Sequence, residues 1–102
     1  MLVQTSSATF SPHSGSGPET GIVQVTFPST VRQATVALTG FLVEFSGGND
    51  HHYGKLQVQV QIPPGGIIAN TVKVVVTFGL RDSSTTWFHH YDGTISFVVI
   101  AE

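Results

Sequence analysis

The sequence predicts an all-β fold, a small antiparallel six-stranded β-sandwich. From Thr20 onward β-branched and aromatic residues alternate with polar ones, clusters of proline and glycine recur at strand-length intervals, and nowhere do good helix formers gather at helical spacing. At 102 residues the chain is long enough for one hydrophobic core and too short for two, so residues 1–102 are expected to form a single domain.

The first strand is expected near Val3–Phe10. The segment 11–19, with Pro12, Gly15, Gly17 and Pro18, reads as a flexible loop. Ile22, Val23, Val25 and Phe27 mark the next strand, which Pro28 ends because proline lacks the backbone donor that a ladder needs. The third runs from Val31 to Phe45, and Gly40 interrupts its alternation where a bulge would change the parity of the inward face. Leu56, Val58, Val60 and Ile62 then alternate strictly with Gln57, Gln59 and Gln61, giving one apolar face and one amide face.

Pro63-Pro64-Gly65-Gly66 forces a turn before a strand at Thr71–Leu80, and residues 93–101 form the last strand. Val74, Val75 and Val76 are apolar at successive positions, as are Phe97 to Ile100. Both faces of these two strands are therefore expected to be covered, by a central place in a sheet or by a neighbouring subunit. Sparse charge points the same way: four Lys and Arg against six Asp and Glu, for a formal charge of −2, leave little repulsion between copies and favour a homo-oligomer.

The same composition narrows the partners. Arg32, Lys55, Lys73 and Arg81 are dispersed, so no basic stripe tracks a phosphate backbone and no nucleic acid partner is expected. No apolar run approaches the ~18 residues a membrane span needs, and Met1-Leu2-Val3-Gln4 does not open a signal peptide. Without cysteine there are no disulfides and no thiolate sites, which suits a secreted or a cytoplasmic protein equally. No Gly-x-Ser-x-Gly elbow, acid pair or phosphate-cradling glycine loop is present, so the chain is not expected to be an enzyme and no catalytic residue is assigned.

Chemistry concentrates in two segments. Four of the five histidines fall in Asn49-Asp50-His51-His52-Tyr53 and Trp87-Phe88-His89-His90-Tyr91-Asp92. If the strands alternate in direction, loops 47–54 and 81–92 leave the same end of the sandwich, about 26 Å from the proline-glycine turn at ~3.3 Å per residue. Three readings of that end stand open. Asn49, Asp50, His52, Tyr53, Arg81, Asp82, Trp87, Tyr91 and Asp92 could form a ligand-binding rim, the aromatic rings serving as platforms and the polar groups as oriented hydrogen-bonding partners. His51, His89 and His90 could bind a divalent metal such as zinc or calcium, although adjacent histidines on a strand point to opposite faces. In the third reading the same residues close the sandwich end or pack at a symmetric interface.

From about Val23 to the C-terminus the order of features resembles the H-type lectins. The matching residues are Val25-Thr26-Phe27, Ala34-Thr35-Val36-Ala37-Leu38-Thr39-Gly40-Phe41, Leu56-Gln57-Val58-Gln59-Val60 and Ile95-Ser96-Phe97-Val98-Val99-Ile100. The resemblance implies a six-stranded sandwich assembled as a homotrimer or hexamer that binds N-acetylgalactosamine-like sugars. That family reads its sugar with an arginine and a Trp-His pair, where this chain has Gln61 and Phe78-Gly79-Leu80-Arg81-Asp82, so its sugar specificity is not carried over. Gly79-Leu80-Arg81-Asp82-Ser83-Ser84, Trp87, Tyr91-Asp92-Gly93 and Asn49-Asp50-His51-His52 are also similar to a pattern in small bacterial proteins of uncharacterised function. The functional expectation is a lectin-like carbohydrate-binding or recognition module, its partner a carbohydrate or cell-surface glycan. The alternative is a structural assembly module whose histidine loops sit at subunit contacts and respond to metal or pH.

Overall fold

β-Strands with apolar side chains at alternate positions, as in residues 56–62, can seal only one face, and two sheets pressed together bury those faces against each other. The computed structural model describes residues 1–13, 18–45, 53–82 and 91–102. It contains seven strands: β1 (Leu2–His13), β2 (Glu19–Thr26), β3 (Ala34–Phe45), β4 (Tyr53–Gln61), β5 (Ile67–Ile68), β6 (Thr71–Asp82) and β7 (Tyr91–Ala101). All pairings are antiparallel. The front sheet has the order β1-β7-β3 and the back sheet β2-β6-β4, with β5 added to β6, in a body of 46 × 21 × 18 Å. The expected all-β antiparallel sandwich is what forms, and the seventh strand is the two-residue β5.

The core lies between the sheets. From β6 come Val72, Val74, Val76, Phe78 and Leu80, and from β7 Tyr91, Ile95, Phe97 and Val99, all buried. Both are the central strands of their sheets, which accounts for their apolar runs. Val75, Val98 and Ile100 point outward and are half-buried between flanking strands. Leu56, Val58 and Val60 of β4 pack against this core and Gln59 and Gln61 are exposed, as the alternation predicted. The bulge expected at Gly40 is present: the register against β7 shifts between Leu38 and Gly40, leaving Thr39 as the extra residue. Leu38 pairs with Phe97 before the shift and Phe41 with Ile95 after it, so one inserted residue gives both the parity of buried partners, although on this edge strand they stay 41% and 49% exposed.

The lower end of the sandwich is closed by backbone exchange. The Phe27 N–H donates to the Asn70 carbonyl at 2.8 Å, and the Asn70 side-chain amide donates back to the Phe27 carbonyl at 2.9 Å. The Val31 N–H donates to the carbonyl of Ala69, which sits at a φ of 53° in the tight β5–β6 turn. Glu102 bonds the backbone of Arg32 and Gln33, so the 27–33 connection is fixed to both sheets at this end.

The strands do not pair in chain order. β3 lies in the front sheet and β4 in the back, and the chain returns from β6 in the back sheet to β7 in the front. Each of these passages leaves and enters at the upper end. Phe45 is paired with Tyr91 in the front sheet and Tyr53 with Asp82 in the back, so the four strand ends flanking residues 46–52 and 83–90 are all at this end, the back sheet reaching four residues beyond Phe78, against which Tyr91 lies. The β1 end joins them, since His13 also pairs with Tyr91.

Candidate functional site

What holds the upper end in shape is an aromatic ladder across the two sheets. Phe78 of β6 stacks face to face on Phe10 of β1, with centroids 4.7 Å apart and planes 3° apart, and meets Tyr91 of β7 at 5.2 Å and 47°. Offset and tilted ring pairs at these separations add about 0.5–1.5 kcal/mol each beyond area burial. Glycines make room for them. A Cβ on Gly21 would sit 3.3 Å from the Phe10 ring, and one on Gly93 would sit 2.9 Å from the Phe78 ring.

Tyr91, expected on the rim, is wholly buried and belongs to this ladder. Burial raises its phenol pKa from 10.0 to about 12, with the negative charge of nearby Glu19 adding to the effect. The folded state thus holds the proton more tightly than the unfolded chain. Its contribution to stability is intact below pH 10 and is lost as the pH climbs from about 10 towards 12, where the unfolded chain ionises first. Ultraviolet titration should show one tyrosine ionising about two units late, and the melting temperature should fall between pH 9.5 and 11.5 more steeply in the wild type than in Tyr91→Phe.

Among the other site residues expected from sequence, Arg81 and Asp92 are the two whose side chains are described, and alternation sends them apart. Arg81 points outward from the back sheet, next to buried Leu80, and Asp92 points outward from the front sheet, next to buried Tyr91. The backbones of Tyr53 and Asp82 are cross-strand partners at the edge of the back sheet. Asn49, Asp50, His51, His52, Trp87, His89 and His90 lie outside the described residues. Among the described residues no group of three or more His, Asp or Glu side chains could hold a metal ion, and no helix is long and apolar enough to cross a membrane.

At the other end Gln33, Ala34, Thr35, Ile100 and Glu102 line an open depression of about 240 Å³. That is below the ~300–1,000 Å³ of ordinary small-molecule sites, and no aromatic ring lines it.

Sequence reasoning missed the distribution of charge. Glu44 and Asp92 face each other across β3 and β7 on the outer front face, and Lys55 and Arg81 face each other across β4 and β6 on the outer back face. Lys73 lies further down the same back face. Among the residues whose side chains are described, the outer front face of the paired strands carries two carboxylates and no cation, the outer back face three cations and no carboxylate. Strand parity must be known before any of these charges can be assigned to a side.

Comparison of the chain with protein-family models, with curated proteins and with solved structures finds no match.

Proposed function

We propose that this protein is a lectin-like recognition module that binds carbohydrate without catalysis, works as a homo-oligomer and takes its ligand at the upper end. The convergence of the strand ends at Phe45, Tyr53, Asp82 and Tyr91 is the observation that supports this reading. Two connections rich in His, Asp, Asn and Trp start and finish there, on a rigid base of stacked rings. Sugars are recognised by aromatic platforms that cover their apolar C–H faces and by side chains that exchange hydrogen bonds with hydroxyls. Trp87, Tyr53, Asn49, Asp50 and His52 supply those groups, and His51, His89 and His90 supply ligands for a bridging divalent metal.

The resemblance to H-type lectins supports the same class of ligand. The absence of that family's arginine and Trp-His pair argues for a different sugar.

The test is an array of neutral and acidic glycans probed with the whole protein, with and without calcium and zinc. Binding to a defined subset is expected, with a loss of at least tenfold in Trp87→Ala and Asn49→Ala at unchanged melting temperature. Silence across the array in all three metal conditions would overturn the carbohydrate reading. Elemental analysis of protein purified without a metal resin separates the metal question, since zinc held by the histidines should appear at a fixed ratio to protein.

A further inference from the structure

β3 lies over β4 at one flank of the sandwich and β1 over β2 at the other, and the two flanks differ. At the β1–β2 flank the Gln4 side-chain amide donates to the Thr26 carbonyl at 2.7 Å and ties the sheets together. Beyond Val3 the exposed positions of β1 are Thr5, Ser7 and Thr9. At the β3–β4 flank Leu38 and Phe41 have inward parity and yet stay exposed, beside half-buried Leu56, Val58 and Val60. Among the described residues no strand pairs with the outer edge of β3. From Ala34 to Val43 it also has no charge and no proline, which elsewhere keep an edge strand from pairing.

The bulge at Thr39 would blunt this edge against an arbitrary strand, but it makes β3 match a second copy of itself. Laid antiparallel about a two-fold axis between residues 39 and 40, the strand sets Leu38 opposite Phe41, Ala37 opposite Leu42, Val36 opposite Val43 and Thr35 opposite Glu44 of the other copy. In an unbroken strand residues 38 and 41 point to opposite faces, and this register would set inward side chains against outward ones. The inserted residue changes the parity, so each of these pairs becomes inward with inward or outward with outward. Charge selects the same arrangement. The two Glu44 carboxylates stand about 30 Å apart at ~3.3 Å per residue, where a parallel alignment would set them side by side. Each lies instead at the end where the exposed Arg32 of the other copy precedes β3.

We propose that the protein forms a two-fold dimer through β3, two three-stranded front sheets joining edge to edge into one antiparallel sheet of six. This rests on the oligomeric part of the function proposed above and names the strand that makes it. The contact is isologous, so it closes at two copies and occupies the edge that forms it. Leu38 and Phe41 become buried between the two sandwiches, while Leu42 stays on the solvent side of the joined sheet, opposite Ala37. Residues 35–44 of the two copies exchange about ten main-chain hydrogen bonds, the number found in an ordinary interface. The joint is about 33 Å long and, across two sheets ~10 Å apart with their side chains, roughly 15 Å wide, which comes near the ~1,000 Å² of total buried surface a specific contact needs. The upper ends then lie at opposite poles of the dimer, so one dimer bridges two ligand-bearing surfaces.

Sedimentation of the full chain tests it. The wild type is expected at twice 10.9 kDa or a higher even multiple. Leu38→Glu should weaken association at least tenfold, since it sets a carboxylate against the Phe41 ring twice in each dimer. Cross-linking at exposed positions reads the register and decides the matter if Leu38→Glu does not fold. The chain has no cysteine, so a mixture of Ala37→Cys and Leu42→Cys under mild oxidation should give a disulfide-linked dimer containing both variants. Either variant alone should stay unlinked, its two sulfurs being about 17 Å apart along the joint. A wild type that stays at the protomer mass at high concentration overturns the oligomer and this joint together. A trimer, or an oligomer whose mass ignores Leu38→Glu and whose cysteine mixture links no faster than either variant alone, overturns the joint alone.

Discussion

Replacing Phe78 with alanine should cost about 4 kcal/mol, enough to remove most of the stability a domain of this size carries. The ring is fully buried, and through it β6 of the back sheet meets β1 and β7 of the front. Phe10 would lose its stacking partner and Tyr91 one wall of its pocket. In urea the midpoint should fall by about 2 M with the slope unchanged, as expected when the native state is weakened and the unfolded surface stays the same. Leu42→Ala is the matched control. Leu42 is an equally apolar residue on β3, but it is 66% exposed and should change stability by less than about 0.5 kcal/mol.

That contrast shows what alternation can reveal and what it cannot. The pattern Leu56-Gln57-Val58-Gln59-Val60 states which side of β4 faces inward, and the structure packs Leu56, Val58 and Val60 against the core and exposes Gln59, with Gln57 half-buried. It carries no information about which strand lies alongside. Residues 31–46 and 55–62, consecutive in the chain, are not sheet neighbours, because the chain crosses from front to back between them and crosses again between β6 and β7. The shared end of the two histidine-bearing connections survives this change, since strand direction alternates whether the next strand is beside or behind. The two-residue β5 was invisible because a period of two needs more than two residues to declare itself. It is held instead by pairing with β6 and by the backbone bonds around Asn70.

The doubled apolar runs call for coverage by a sheet interior or by another subunit. The central positions of β6 and β7 explain the inward residues in full. They leave Val75, Val98 and Ile100 half-buried on the outside, shielded by the strands on either side. The charge arrangement lies one level deeper than composition. Ten charged residues in 102 suggest weak repulsion everywhere, whereas the fold puts Glu44 and Asp92 on the outer front face and Lys55, Lys73 and Arg81 on the outer back face.

Gly93→Ala should destabilise the protein by about 3 kcal/mol, lowering the melting temperature by roughly 12 °C or more. From sequence this glycine merely opens the last strand, and Gly40 looks like the one with structural work. Space reverses that ranking. A Cβ on Gly93 would run into the Leu42 carbonyl oxygen and lie 2.9 Å from the Phe78 ring and 3.1 Å from the Val43 Cα. Two of those neighbours are backbone of β3, so relief requires opening the β3–β7 ladder where Val43 faces Gly93 and Phe45 faces Tyr91. Gly93 does not occupy the left-handed region that among the described glycines Gly65 does, so the cost comes from close approach and not from backbone conformation. Gly40 has nothing within 4 Å of its would-be Cβ, and Gly40→Ala should leave stability unchanged or raise it by about 0.5 kcal/mol through the unfolded chain. Thermal melts of the two variants side by side check both values. If Gly93→Ala melts with the wild type, the close approach of β3 to β7 is wrong, and with it the packing that seats Phe78 beneath the upper end.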